Sequence, residues 1–416
     1  MVSSSKHACL LILLFCAGIT GISQTRTLDF YLDEGLRNSP VLNDLNNRLK
    51  EGSVDSLIIE AQRKPFIEGV SQLIYYPYNG RLGYDEVITD GGNYQVVASV
   101  SQEIFNRRRT VNRFRSLDIR KESTVMSGKL SEAELKKTIT NLYLEAYSAW
   151  NDLDFNRSFL ELLTSELSLL KDFADRGVCS QTDYLSMLVE AGGQEVTITR
   201  MKNIYDKDLM LLNEICGIVD TAKVVLKEPD IQLTEIDGTP DFIFLRQFIT
   251  DSLDIVNSKE AVGLGYRPVV KWFADAGILT SSPWNFYRHF GVGAGLSLNV
   301  PVYDGHQKRL EEQKLAIKEN TRSFNSLSAR KQYDQNYLRL KEELKDLDNT
   351  GEKLEEQLVL ADRLVKTLKA QLESGIVKMT EYINAIRNYR TINMNRSLIK
   401  IETAVVKNEM NYLLTQ

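Results

Sequence analysis

The chain has 416 residues, carries 51 Lys and Arg against 56 Asp and Glu for a net charge of −5, and is 43% apolar. That is enough apolar material for a core, and the charge balance argues against a basic nucleic-acid binder or a disordered acidic tail. With 8 Pro and no Pro/Gly/Ser-rich linker, one continuous architecture fits better than a string of domains. With 3 His and 4 Cys, of which His7, Cys9 and Cys16 lie close to the start, little is left for a metal site or a nucleophilic triad.

Residues 1–23 read as an export signal: Lys6 gives a positive end, Ala8 to Ala17 a short apolar run, and Gly21-Ile22-Ser23 small residues for cleavage before Gln24. The run is too short to span a bilayer, and Leu13-Leu14-Phe15 before Cys16 is not a lipoprotein pattern. Of the cysteines only Cys179 and Cys216 follow the signal. With a helix between them they stand roughly 50 Å apart, too far for a disulfide. No later stretch is apolar enough for a membrane-crossing helix, so a β-barrel is the remaining route into a membrane.

The mature chain predicts two structural repeats, 24–225 and 226–416. Gln102-Glu103-Ile104-Phe105-Asn106 and Val300-Pro301-Val302-Tyr303-Asp304 share a pattern at an offset of 198 residues. Arg176-Gly177-Val178 with Thr182-Asp183-Tyr184-Leu185 matches Ser374-Gly375-Ile376 with Thr380-Glu381-Tyr382-Ile383 at the same offset. Two anchors that hold register over this distance point to a duplication.

The first repeat opens with a short amphipathic helix from Phe30 to Arg37 and onward. A β-hairpin over about 65–104 follows, its second strand marked by Tyr94, Val96, Ala98 and Val100 alternating with small or polar residues. A long helical hairpin over about 105–216 carries Ala146, Leu153, Leu160, Leu167 and Ala174 at sevenfold spacing, turns at Gly177, and returns with Tyr184, Ala191, Ile198, Tyr205 and Leu212. The second repeat has a short helix from Phe242 to Leu253 and onward. Its β-hairpin spans about 260–302, with strands over 262–273 and around Val292–Val300 joined by a loop over 274–285. Its helical hairpin over about 303–416 carries Leu340, Leu347, Leu354, Ala361 and Leu368, then Ala385, Ile392, Ile399, Val406 and Leu413. A helix of seventy residues reaches roughly 100 Å.

This organisation, together with Leu296-Ser-Leu-Asn-Val-Pro-Val-Tyr-Asp-Gly305 and the Asn38-Ser39-Pro40 that follows the opening helix, resembles the TolC family of outer-membrane efflux proteins. The resemblance implies a mixed α/β, mainly α, membrane protein. Three protomers would give four strands each to one 12-stranded outer-membrane β-barrel, continuous with a long periplasmic α-helical barrel. It implies a homotrimer in outer-membrane lipid that works with a periplasmic adaptor (membrane fusion) protein and an inner-membrane pump of RND or ABC type. The chain would be the passive exit duct of a tripartite efflux or type I secretion system, with no catalytic residue, no cofactor, no metal and no nucleic-acid partner. A trimeric coiled-coil structural or adhesion protein of the envelope is the alternative, and a periplasmic enzyme on a helical scaffold a further one. Alternating strands argue against the former, and the missing catalytic constellation against the latter.

Asp183 and Glu381 hold equivalent places after the turn glycines, where this family's periplasmic entrance narrows. Threefold symmetry would gather their carboxylates near one axis, favouring cations and resisting closure. Each also suits the positive N-terminus of its helix, and the two roles are compatible. The family's second acid one turn later is Asn384 here, with Ser186 in the first repeat, which predicts a single, softer constriction. Gly177, Val178, Thr182, Gly375, Ile376 and Thr380 resemble the hairpin tips that meet an adaptor, with exposed Val178, Cys179, Ile376, Val377 and Met379 as an apolar edge. Helix capping and local packing are the plainer role of the same residues. His289 and His306 read as rim or surface residues, and the run Arg107, Arg108, Arg109, Arg113 and Arg115 as the solvated start of a helix at the barrel rim.

Overall fold

The computed structural model describes residues 24–75, 92–176, 180–220, 224–234, 243–281, 283–374 and 376–415. The export signal and much of the first β-hairpin's loop lie outside them. In chain order the elements are β1 (Gln24–Arg26), α1 (Leu28–Asn38), α2 (Pro40–Ala61), β2 (Phe66–Tyr75), β3 (Gly92–Ile104), α3 (Arg107–Asp175) and α4 (Gln181–Ile215). There follow β4 (Val224–Leu226), α5 (Ile243–Gly265), β5 (Val269–Thr280), a short 3-10 turn (Pro283–Arg288), β6 (Phe290–Asn299), α6 (Gln307–Glu373) and α7 (Met379–Leu413). The described chain is mainly helical with a small sheet. Helices α4 and α7 are each 35 residues long.

Both boundaries of one strand depart from the sequence expectation. The strand expected over 262–273 starts at Val269, and Val262 to Leu264 close α5 instead. The expected loop over 274–285 is strand as far as Thr280.

The chain divides into two compact units, Met1–Leu42 with Ser131–Phe242 and Gln332–Gln416, and Asn43–Leu130 with Ile243–Lys331. In the first unit the sevenfold rows face inward, and Ala146, Leu153, Ala191, Tyr205, Leu212, Leu340, Ala361, Ala385 and Val406 are all buried. One core cluster joins Tyr31, Tyr143, Leu153, Tyr205, Leu212 and Cys216 to Val224 and Leu226 of β4, the partner strand of β1. These strands pair in parallel, Gln24 with Val224 and Arg26 with Leu226, a pairing that the sequence reading misses. Their carbonyls are held by tyrosines: Tyr205 donates to Val224 O at 2.6 Å, and the Tyr143 hydroxyl lies 2.6 Å from Lys227 O and 3.1 Å from Arg26 O. Arg26 pairs with Asp220 and lies over the Phe30 ring.

The second unit holds an antiparallel sheet of order β2-β3-β5-β6. Directly paired residues share a face, so Ile67 and Leu73, Val96, Ala98 and Val100, Trp272, Ala274 and Ile278, and Val292, Ala294 and Leu296 line one side. The other side is mixed: Gln72, Gln95, Ser101 and a cross-strand line of Glu68, Ser99, Asp275 and Gly293 share it with Val70, Ile74, Val97, Phe273 and Leu279. The apolar side is wet in the single chain: Val96 is 57% exposed and Val292 81%. Below the sheet Arg109 ties strands to helices, donating to Glu103 at 2.6 Å, Arg267 O at 2.8 Å and Leu264 O at 3.2 Å. Asn112 and Asn257 are both buried and exchange amide bonds between α3 and α5.

Candidate functional site

Where α3 turns into α4, Ser180 caps the new helix with its hydroxyl accepting the Asp183 N–H at 3.2 Å. The Asp183 carboxylate in turn accepts from the Ser180 hydroxyl at 2.8 Å and from its N–H at 3.4 Å. Asp183 is thus half of a capping box, whose signature is the spacing Ser180-x-x-Asp183 itself. Glu381 differs. Lys378 stands at the N-cap of its helix and makes no side-chain cap bond, and Glu381 is exposed in the first turn of α7. The two acids hold equivalent positions in sequence but unequal ones in structure, for Asp183 is engaged in its cap and Glu381 projects from a helix end that lacks one.

Asn384, Thr182 and Thr380 are exposed, and Ile376 is 73% exposed. Ile376 N–H donates to Gln371 O at 2.9 Å, the six-to-one bond of a Schellman closure. Gly177, Val178, Cys179 and Gly375 lie outside the described residues. The apolar edge expected at this turn needs a correction: Met379 is only 3% exposed and packs with Met187, Tyr382, Ile383 and Ile386, while Val377 is half-buried. A flexible thioether at the first position of α7 fills the space between the two return helices, so it is not available to a partner. This shared core brings the beginnings of α4 and α7 together.

Polar links that sequence spacing did not single out join the two hairpins behind this core. Glu166, with 4% of its side chain exposed, accepts from Lys369 Nζ at 2.6 Å. Burial and the neighbouring Glu166 carboxylate both push the Tyr382 hydroxyl up from its ordinary pKa. Arg387 pairs with Glu190 through both guanidinium and carboxylate, Nε lying 3.2 Å from Oε1. One step deeper, Arg390 donates to Asn156 Oδ1 at 2.9 Å and stacks over Phe159, while its Nε is buried without a partner and burial lowers its pKa. Asn156 also accepts from Gln194 at 2.8 Å. Asn151 donates to Ser397 at 2.6 Å, and Asn408 to Asn141 at 2.8 Å. The hairpins are therefore joined by exchangeable polar bonds as well as by apolar packing.

Among the described residues no group of His, Cys, Asp and Glu is arranged to hold a metal ion, and no helix is long and apolar enough to cross a membrane.

No protein-family model matches the sequence, and no curated protein matches it. Solved structures do. CusC, described for the conformational changes that accompany folding and transmembrane channel formation, is 11% identical with a TM-score of 0.74 over 93% of this chain and 91% of its own. The outer-membrane protein VceC from Vibrio cholerae is 12% identical, TM-score 0.73, over 93% and 96%. The open-state MtrE outer-membrane channel of Neisseria gonorrhoeae is 11% identical, TM-score 0.71, over 93% and 88%. The fold of this chain is that of the TolC-family outer-membrane channels.

Proposed function

We propose that the chain is the outer-membrane exit duct of an export system, a homotrimer that passively conducts substrates delivered by an inner-membrane pump through a periplasmic adaptor. The observation that carries this reading is the four-stranded sheet. Within one chain β2 and β6 each pair on one side only among the described residues, and one face is mainly apolar, with Ile67, Leu73, Val96, Val292 and Leu296 exposed. Open strand edges and a wet apolar face are both unfavourable in water, and open edges are excluded from lipid; closure of twelve strands from three copies removes the edges and turns the face to the membrane. The mixed face, with Glu68, Ser99 and Asp275, then lines a water-filled lumen. Helix α6 supports the trimer as well, for Leu310, Ile317 and Phe324 recur at sevenfold spacing and are 60%, 66% and 72% exposed. A row of this kind is the seam a neighbouring helix fills.

In this reading the turn side of the helical hairpins is the periplasmic entrance. Glu381, free of a cap, is the better candidate for lining it, and Asp183 contributes through its helix end. The pairs Glu166–Lys369 and Glu190–Arg387 hold the two hairpins together near this end. Thr182, Ile376 and Thr380, with the neighbouring Gly177, Val178 and Gly375, form the tip that an adaptor meets. The decisive experiment is reconstitution of the mature protein in planar bilayers, with heat-modifiable trimers checked by electrophoresis. Stepwise conductance supports the duct. A folded trimer that never conducts sinks it and favours a structural coiled coil.

A further inference from the structure

We propose that the helix-proximal end of the four-stranded sheet is a recognition surface for anionic phospholipid headgroups. This rests on the barrel reading above, since it needs the apolar face of the sheet to meet acyl chains.

The register brings four strand ends to one level: Phe66 lies opposite Ser101, Ile104 opposite Val270, and Val269 opposite Asn299. Each of these ends carries exposed cationic side chains. Lys64 precedes β2, Arg107 and Arg108 follow β3, Arg267 precedes β5, and Lys308 and Arg309 follow β6. The neighbouring acids are Glu103, Asp304, Glu311 and Glu312, all within a turn of these ends and fewer than the cations. Glu103 is paired with Arg109 at 2.6 Å. The Asp304 carboxylate accepts the N–H groups of Lys308 and His306, both at 2.9 Å, and these bonds hold it below the usual carboxylate range. Asp304 therefore stays ionised, yet with Arg109 included the cations outnumber these acids and leave a surplus of positive charge at this level.

Apolar groups are interleaved with that charge. Phe105 is 91% exposed, Val302 93% and Tyr303 80%. Phe105 has φ of 62°, in the left-handed region that a bulky residue rarely adopts, so the backbone accepts strain at the point where the ring stands in solvent. Just beyond them the apolar sheet face begins with Ile67, Ile104, Val270 and Leu298. Acyl chains against that face, rings at the boundary and guanidinium or ammonium groups at the phosphates is the order in which a phospholipid presents its own parts. A nucleic acid would meet the cations but leave the apolar face unused. A net negative headgroup is favoured over a zwitterionic one because the cations at the rim outnumber the acids there.

The test uses the full mature trimer, delipidated in mild detergent and offered phosphatidylglycerol against phosphatidylcholine, with retained lipid read by native mass spectrometry. Retention of phosphatidylglycerol is expected to exceed that of phosphatidylcholine about tenfold, to fall with ionic strength, and to lose this margin in Arg107→Gln/Arg108→Gln/Lys308→Gln/Arg309→Gln. Arg107→Lys/Arg108→Lys, which keeps the charge, should retain it. Equal retention of the two lipids by the wild type, or an unchanged margin in the Gln variant, overturns the proposal. Conductance is measured on the same samples. Pores without a lipid preference refute only the headgroup surface, whereas no pores in any lipid refute the barrel reading and this one with it.

Discussion

Asp152 of α3 lines a cavity of about 270 Å³ in the first unit, together with Tyr147, Phe155, Glu228, Ser397 and Lys400. Burial alone pushes its carboxyl above the ordinary value. An acid whose folded pKa is raised binds its proton more tightly when folded, so its cost is present at neutral pH and is relieved as pH falls through the raised range. Asp152→Asn is therefore expected to raise the thermal midpoint at pH 7, by an amount that shrinks as the pH is lowered, as read by circular dichroism at matched detergent. A lowered midpoint at pH 7 would mean that the carboxylate makes a compensating contact. Cys216 is a second case of burial setting chemistry: its thiol faces Tyr31 O at 3.4 Å, and burial pushes it up to about 12. In Cys179→Ser protein a maleimide should leave Cys216 unlabelled in the native state and label it fully in denaturant. Native labelling would show that the core around α1 opens.

At the scale of elements, close approach of backbones decides the behaviour of β5. A Cβ on Gly277 would stand 2.3 Å from Val96 O and 2.6 Å from Val97 Cα, both backbone atoms that cannot swing aside. Gly277→Ala should cost about 1–3 kcal/mol and lower the thermal midpoint of the protein, whereas Gly69→Ala, where a Cβ meets nothing within 4 Å, should not. The same strand shows where sequence reading stops. The helical hairpins are legible because sevenfold rows persist over many turns, and Ala146, Leu153, Tyr205 and Leu212 lie where the spacing puts them. The start of β5 is not, because Val262 to Leu264 satisfies a strand pattern and a helix end equally well over so few residues. Ala274, Ala276 and Gly277 read as a loop, yet small residues suit a strand packed closely against its neighbours. Asn156 and Arg390 escaped notice for a related reason, since a polar residue on a helix reads as solvated until the facing helix is in place. The acid of the turn was legible from spacing; its partner Ser180 was equally present in the sequence and needed only the box pattern to be applied.

For the whole molecule, the two faces of the sheet predict opposite responses to the same charge. Val292 is 81% exposed, and in a protein that kept this face in water Val292→Lys would be harmless or would aid solubility. If the face meets lipid, an added ammonium near mid-strand costs about 2–4 kcal/mol and hinders membrane insertion. Ser99 lies on the opposite face, directly paired with Glu68 on one side and Asp275 on the other. Ser99→Lys sets a cation between two acids, so in the proposed duct the variant should assemble and conduct, while its preference for cations over anions, read as the reversal potential in a salt gradient, should fall. Loss of insertion by Val292→Lys with a shifted reversal potential in Ser99→Lys fixes which side faces lipid and which lines the lumen. Normal insertion of Val292→Lys would remove the lipid-facing assignment, and the twelve-stranded barrel would go with it.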